Sequence, residues 1–209
     1  MLLDVDGTLV DSNWQHAEAW SQAFAEFGYS FSAQQIFPYI GMGGDKMTAK
    51  LLPRVDTREH EKMAKRHSQI FLEKYAPHVR ATPGAHELVA ALAARGKRPV
   101  IATSAHKDEL EAVLKSSGLT ELLDSAVTAD DADRSKPDPD ILEVALKKTN
   151  TRPDDALMVG DTRYDIEAAH RAGVQAIGLE CGGHDAGELH GALAVYVDPA
   201  DLARHLDEV

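Results

Sequence analysis

A single cysteine, Cys181, stands in the chain, which excludes an intramolecular disulfide. It lies in Cys181-Gly182-Gly183-His184, where no second cysteine offers zinc spacing, so a packed thiol is expected. No apolar run approaches the ~20 residues that span a bilayer. No Lys/Arg-rich cluster of about 5–8 residues offsets the net charge of −12, so a long nucleic-acid ligand would meet repulsion. Internal repeats and low-complexity segments are also lacking. The opening Met1-Leu2-Leu3-Asp4 turns acidic at once, unlike a signal peptide, and its short lead-in to a first strand reads as a clipped start. Cytoplasm is the expected compartment, with neither membrane nor nucleic acid as partner.

What is present is an ordinary globular composition. The 209 residues are 44% hydrophobic and 27% charged, enough for one core plus a small inserted module. Short apolar runs recur: Leu2 to Val5, Arg98 to Thr103, Ser125 to Thr128, Ala156 to Val159 and Val174 to Leu179. Their Val, Ile and Leu content suits strands buried on both faces. Between them lie helical stripes: Leu88, Val89 and Leu92 before Gly96; Leu110, Val113 and Leu114 before Gly118; Ile141, Leu142, Ala145 and Leu146. This alternation predicts an α/β fold, a doubly wound parallel sheet with helices on both faces.

Residues 13–79 break the alternation. Ser12-Asn13-Trp14-Gln15 reads as a capping box with Ser12 as N-cap. Ala17, Trp20, Phe24 and Phe27 then follow a helical face that Gly28 stops. A second helix is expected from Thr57 to Tyr75, with a flexible turn at Gly41 to Lys46 between the two. The reading is a helical module over 13–79 inserted into a core of 1–12 and 80–209. Trp14, Trp20, Phe24 and Phe27 are expected in the module's own core.

Four signals fall at predicted strand ends, where open parallel sheets bind ligands. In Asp4-Val5-Asp6-Gly7-Thr8, two carboxylates at i, i+2 would share a face of an ideal strand and are costly to bring together without a cation. The fragment also reads as a plain Asp-Gly turn. Ser104, with Ala105 after it, offers a hydroxyl and free backbone N–H groups for a phosphate oxygen, or a cap for a helix starting near Lys107. Lys136, in Ser135-Lys136-Pro137-Asp138-Pro139-Asp140, is a cation on a stiffened loop, either facing an anion or solvated, and Asp138 or Asp140 suits the next helix as a cap. Asp161 and Asp165, in Gly160-Asp161-Thr162-Arg163-Tyr164-Asp165, lie one helical turn apart. They suit a hard cation with oxygen ligands or simply the helix dipole.

The order of these signals resembles the haloacid dehalogenase superfamily, through DVDGTLVDS, ATSA, SKPDPDI and GDTRYDIEAA. The inserted module is similar in place and size to that family's helical cap, so the resemblance covers nearly the whole chain. It implies a Mg²⁺-dependent phosphatase acting on a small phosphorylated metabolite. By that resemblance Asp4 is the nucleophile that becomes an aspartyl-phosphate, and Asp6 is general acid and then base. Ser104 binds the phosphoryl oxygens and Lys136 neutralises charge. Asp161 holds Mg²⁺ with Asp4 and the Asp6 carbonyl, and Asp165 is a ligand or stands behind one. The cap loop would face the substrate through Gly43 and Lys46, although the glycines serve equally as a hinge and Lys46 equally as a solvated cation.

Within the superfamily, a dehalogenase is disfavoured because Asp6 is present. A sugar phosphomutase of the β-phosphoglucomutase kind is the alternative, but Gly160-Asp161 looks like the phosphoglycolate phosphatase branch. A phosphonatase would require a cap lysine such as Lys46 or Lys50. A catalytically silent binding protein would be expected to lack one of these groups. His16 reads as a partly buried, hydrogen-bonded histidine and His106 as a pocket-lining candidate. Phosphoglycolate, sugar phosphates and nucleotides stay open as substrates, and monomer and dimer are equally compatible with the chain.

Overall fold

The computed structural model describes residues 1–209, the side chain of Asp124 apart. From β1 (Leu2–Leu3) the chain turns through β2 (Val10–Asp11) into α1 (Asn13–Glu26), α2 (Ala33–Ile36), α3 (Gly44–Leu51) and α4 (Thr57–Lys74). It returns along β3 (Arg80–Ala81), antiparallel to β2. Then follow α5 (Ala85–Ala94), β4 (Val100–Ile101), α6 (Lys107–Ser117), α7 (Asp140–Thr149), β5 (Leu157–Gly160), α8 (Arg163–Arg171), β6 (Gln175–Leu179), β7 (Ala194–Tyr196) and α9 (Pro199–Arg204).

The main sheet is parallel, in the order β4-β1-β5-β6-β7. Leu3 pairs with Ile101 on one side and Val159 on the other. Strand alternation then sends Leu3, Ile101, Val159 and Ile177 to one face, packed with α5, α6 and α9. Leu2, Val100, Met158 and Ala176 go to the opposite face, packed with α7 and α8. Each of these side chains except Ala176 stabilises the fold by ~1.5–3 kcal/mol on burial. The sheet is therefore doubly wound, as the alternation of runs and stripes predicts.

A third apolar cluster draws only on the helical insertion: Ala17, Trp20, Phe24, Ile36, Ile40, Met47 and Met63. Trp14 departs from the expected module core. It is 42% exposed, because its position on α1 turns the ring outward against Phe37 and its Nε1 donates to Glu18.

Other local expectations are also corrected. Ser125–Thr128 is not a full strand: Ser125 closes a 3₁₀ segment and Val127 makes a lone parallel bridge with Ala102. Ser12 precedes α1 but makes no side-chain cap, because its hydroxyl donates to Asp6 Oδ1 at 2.6 Å instead. Gly44, Asp45 and Lys46 open α3 rather than forming a flexible turn. Neither Asp138 nor Asp140 caps α7, since both carboxylates are taken by cations. The edge strand β7 was not foreseen from its three residues.

Candidate active site

The first motif leaves the sheet immediately after Leu3. Asp4 N–H still donates to Val159 O at 2.9 Å, but the chain then folds tightly, with Leu9 and Val10 N–H both donating to Val5 O. Gly7 permits this turn at φ +76°, where an added Cβ would lie 2.2 Å from Asn13 Nδ2 and Asp161 Oδ2. Because the strand stops before them, Asp4 and Asp6 escape simple alternation and enter different surroundings.

Asp4 faces the lysine loop. Lys136 is fully buried, and its Nζ donates to Asp4 Oδ1 at 2.6 Å and Asp165 Oδ1 at 2.7 Å. Burial works to lower the Lys136 pKa, but Asp165 and Asp4 outweigh it and hold the amine above its ordinary value. Burial pushes the Asp4 carboxyl up to about 7, against the pull of Lys136. Asp161 is also buried, which together with Asp165 and Asp4 raises it well above the carboxylate range. Its oxygens accept from Thr8 Oγ1 at 2.9 Å and Asn13 Nδ2 at 2.7 Å. Gly182 is required beside it, since a Cβ there would lie 1.8 Å from Asp161 Oδ2. Asp165 is fixed from behind by Thr162, whose N–H and Oγ1 both donate to Oδ2.

Asp4, Asp161 and Asp165 each offer an oxygen within 4.8 Å of the others. One buried lysine bonded to two of the three does not balance so much close negative charge. The set fits a hard divalent cation bound through oxygen.

Asp6 turns the other way. Its Oδ1 accepts from Ser12 Oγ and faces His16 Nε2 at 3.1 Å. Burial works to raise this carboxyl, but His16 and Ser12 together bring it below the ordinary carboxylate value. Ser104 Oγ accepts from Lys136 N–H at 3.3 Å and is not the cap of α6, a position held by His106. The Ala105 N–H, expected to be free, donates to Thr103 Oγ1 at 3.1 Å.

Asp4, Asp6 and Ser104 open onto a cavity of about 1090 Å³ between the helical insertion and the sheet edge, lined also by Ala105 and Gly43. Lys46 is not in its wall: it binds Asp138 and Ser135 O instead. With Ser135 Oγ donating to Asp45 at 2.6 Å and Gly43 N–H to Lys136 O at 3.3 Å, α3 is fastened to the lysine loop. His106 lines the cavity, as considered from sequence, and pairs with Asp130 at 2.7 Å. The Cys181 thiol donates to Gly7 O at 3.1 Å, and burial pushes its pKa up, so it is a packed thiol.

The description "Haloacid dehalogenase-like hydrolase" matches residues 1–179. The chain belongs to this family. Among curated relatives, validoxylamine A 7'-phosphate phosphatase of Streptomyces hygroscopicus subsp. limoneus is 29% identical over 178 residues, covering 85% of this chain and 84% of that one. Pyrophosphatase PpaX of Oceanobacillus iheyensis is 25% identical over 175 residues, covering 84% and 80%. A hydrolase from Pseudomonas syringae superposes with a TM-score of 0.91 at 36% identity, covering 100% of this chain and 97% of that one. The chain is thus a hydrolase, of the phosphatase kind named in both curated relatives. The haloacid dehalogenase-like core and helical insertion of the sequence reading are those of the family fold.

Four residues of this family member's site escaped the sequence reading. Thr8 lies inside a recognised motif and Asn13 inside the supposed capping box, and only their contact with Asp161 has no signal in the sequence. His67 and Glu109 carry no local signal, because α4 and α6 bring them together from distant parts of the chain.

Proposed function

We propose that the chain is a Mg²⁺-dependent phosphatase hydrolysing a small phosphomonoester through an aspartyl-phosphate on Asp4. The observation that carries this reading is the buried Asp4–Lys136–Asp165 chain beside Asp161, which reaches the cavity through Asp4. Residues 1–12 and 80–209 act as the catalytic core and residues 13–79 as the cap. Asp4, Asp161 and Asp165 are the side chains that would hold Mg²⁺, with the Asp6 carbonyl as a further oxygen. Bound there, the ion would supply positive charge against the phosphoryl oxygens.

Asp4 attacks phosphorus, the bond to the leaving oxygen breaks, and Asp6 delivers a proton to that oxygen. Water then attacks the phosphorus, Asp6 takes its proton, and the P–O bond to Asp4 breaks to release inorganic phosphate. Lys136 orients Asp4 and offsets charge, while Ser104 Oγ, which accepts from Lys136 N–H, keeps its own proton for a phosphoryl oxygen. Ala105 joins it after exchanging its bond to Thr103. Gly43 lies in the cavity wall and allows close substrate approach. Lys46, bound to Asp138, holds the cap loop instead of reaching the phosphate.

The partner is a small phosphorylated metabolite in the cytoplasm. Among the described residues no helix is long and apolar enough to cross a membrane. The test is phosphate release from a phosphomonoester panel with Mg²⁺, before and after EDTA. Release that EDTA abolishes and Mg²⁺ restores is expected; release unchanged by EDTA, or none from any substrate, overturns the reading.

A further inference from the structure

Behind Asp6 lies a line of buried polar side chains that the chemistry above does not use. His16 Nδ1 faces His67 Nε2 at 3.2 Å, and His67 Nδ1 faces Glu109 Oε1 at 3.8 Å. His16 comes from α1, His67 from α4 and Glu109 from α6, so the line runs from the sheet edge through the insertion and back. All three are buried. The rings are held flat: His16 stacks on Phe71 at 3.7 Å and His67 on Trp20 at 4.2 Å between centroids.

We propose that His67 and Glu109 are positioning residues for Asp6, holding His16 so that its Nε2–H donates to the Asp6 carboxylate. The proposal rests on the reading of Asp6 as acid and base. A carboxylate only accepts hydrogen bonds, whereas a neutral imidazole donates from one nitrogen and accepts at the other. The consistent order has neutral His67 directing Nδ1–H toward Glu109, leaving His67 Nε2 to accept from His16 Nδ1–H, so that His16 donates from both nitrogens as an imidazolium. His16 then meets Asp6 through Nε2 alone, with no freedom to flip. Glu109 Oε1 is buried without a hydrogen-bond partner, and its contact with His67 is long. A step of Glu109 toward His67 would give this buried acceptor the donor it lacks.

The arrangement acts on one oxygen of Asp6. Ser12 and His16 both engage Oδ1, and among the described residues no hydrogen bond reaches Oδ2. Asp6 lines the cavity, so fixing Oδ1 leaves Oδ2 to carry the proton to the leaving oxygen. Burial and the low pKa of His67, beside the raised one of His16, agree with this order of donors. A purely packing role would be better served by apolar side chains, because each buried polar group must find a partner.

The test compares wild type, Glu109→Gln, Glu109→Asp and His67→Phe as full chains with Mg²⁺. First-turnover release is followed from p-nitrophenyl phosphate, whose leaving group needs little acid help, and from phenyl phosphate, which needs more. For Glu109→Gln and His67→Phe, nitrophenolate release should stay within about twofold while phenol release falls about tenfold, in the first-turnover rate at saturating substrate with the half-saturating concentration retained, part of the ~10²–10⁴-fold a general acid supplies. Glu109→Asp should recover part of the loss. His67→Phe keeps the ring stack, so it stays folded even if Glu109→Gln does not; thermal unfolding checks both. An equal fall on both substrates, or none on either, overturns the proposal. An inert wild type overturns the phosphatase reading instead.

Discussion

The two sides of the β1 terminus solve the problem of buried charge differently. On the Asp4 side three carboxylates crowd around Lys136, and the surplus negative charge calls for a cation. On the Asp6 side a single carboxylate is met by a hydroxyl and a histidine ring, and no further cation is called for. Burial therefore raises Asp4 to about 7, whereas Asp6 stays below its ordinary value. Two chemically identical residues, two apart, are given opposite shifts by burial and by their partners.

The sharpest way to break this comparison is to neutralise each aspartate in turn. Asp4→Asn should abolish turnover and leave no phosphorylated protein. Asp6→Asn should slow turnover by ~10²–10⁴-fold yet let the acyl phosphate on Asp4 form from p-nitrophenyl phosphate and persist. Intact mass after rapid quenching distinguishes them. A phosphorylated Asp4→Asn protein would mean that the nucleophile lies elsewhere.

A second probe removes the cation that the Asp4 side already has. Lys136→Met leaves the buried carboxylates without their lysine, a change that costs ~3–5 kcal/mol for a broken buried pair. Urea unfolding at neutral pH in EDTA should show it, and Mg²⁺ should narrow the deficit. Wild-type stability in EDTA would show that the carboxylates need no such compensation.

The smallest effect is the most diagnostic of sign. Asp4 is raised from 3.8 to about 7, so its contribution to stability is complete below pH ~4 and lost as pH rises through ~7. Asp6 is lowered from 3.8, so its contribution is present above pH ~4 and lost as pH falls through its lower value. Urea unfolding of metal-free protein between pH 4 and 8 should therefore show a decline that Asp4→Asn flattens and Asp6→Asn does not. An unchanged slope in Asp4→Asn would remove the contrast between the two sides.

Much of the architecture was legible because its signals are local. Apolar runs at β1, β5 and β6, together with stripes bounded by Gly96 and Gly118, mark a parallel sheet clothed by helices, since burial on both faces demands such runs. The order of the motifs also singled out Asp4, Asp6, Ser104, Lys136, Asp161 and Asp165 as candidates, from short segments next to predicted strands and helices. Where signals were read too locally they failed: Ser12 looked like a helix cap and Asp138 like another, yet both found stronger partners from elsewhere.

The amino-acid sequence by itself determined which groups stand at the sheet edge, because the period of a strand and the turn after it are encoded within a few residues. Only the tertiary structure decided what each group meets. It turned Ser12 from α1 to Asp6, Asn13 to Asp161, and Lys46 away from the cavity to Asp138. It also aligned His16, His67 and Glu109 from three helices. Such contacts depend on how helices cross rather than on spacing along one of them, and crossing is settled by the packing of the whole core.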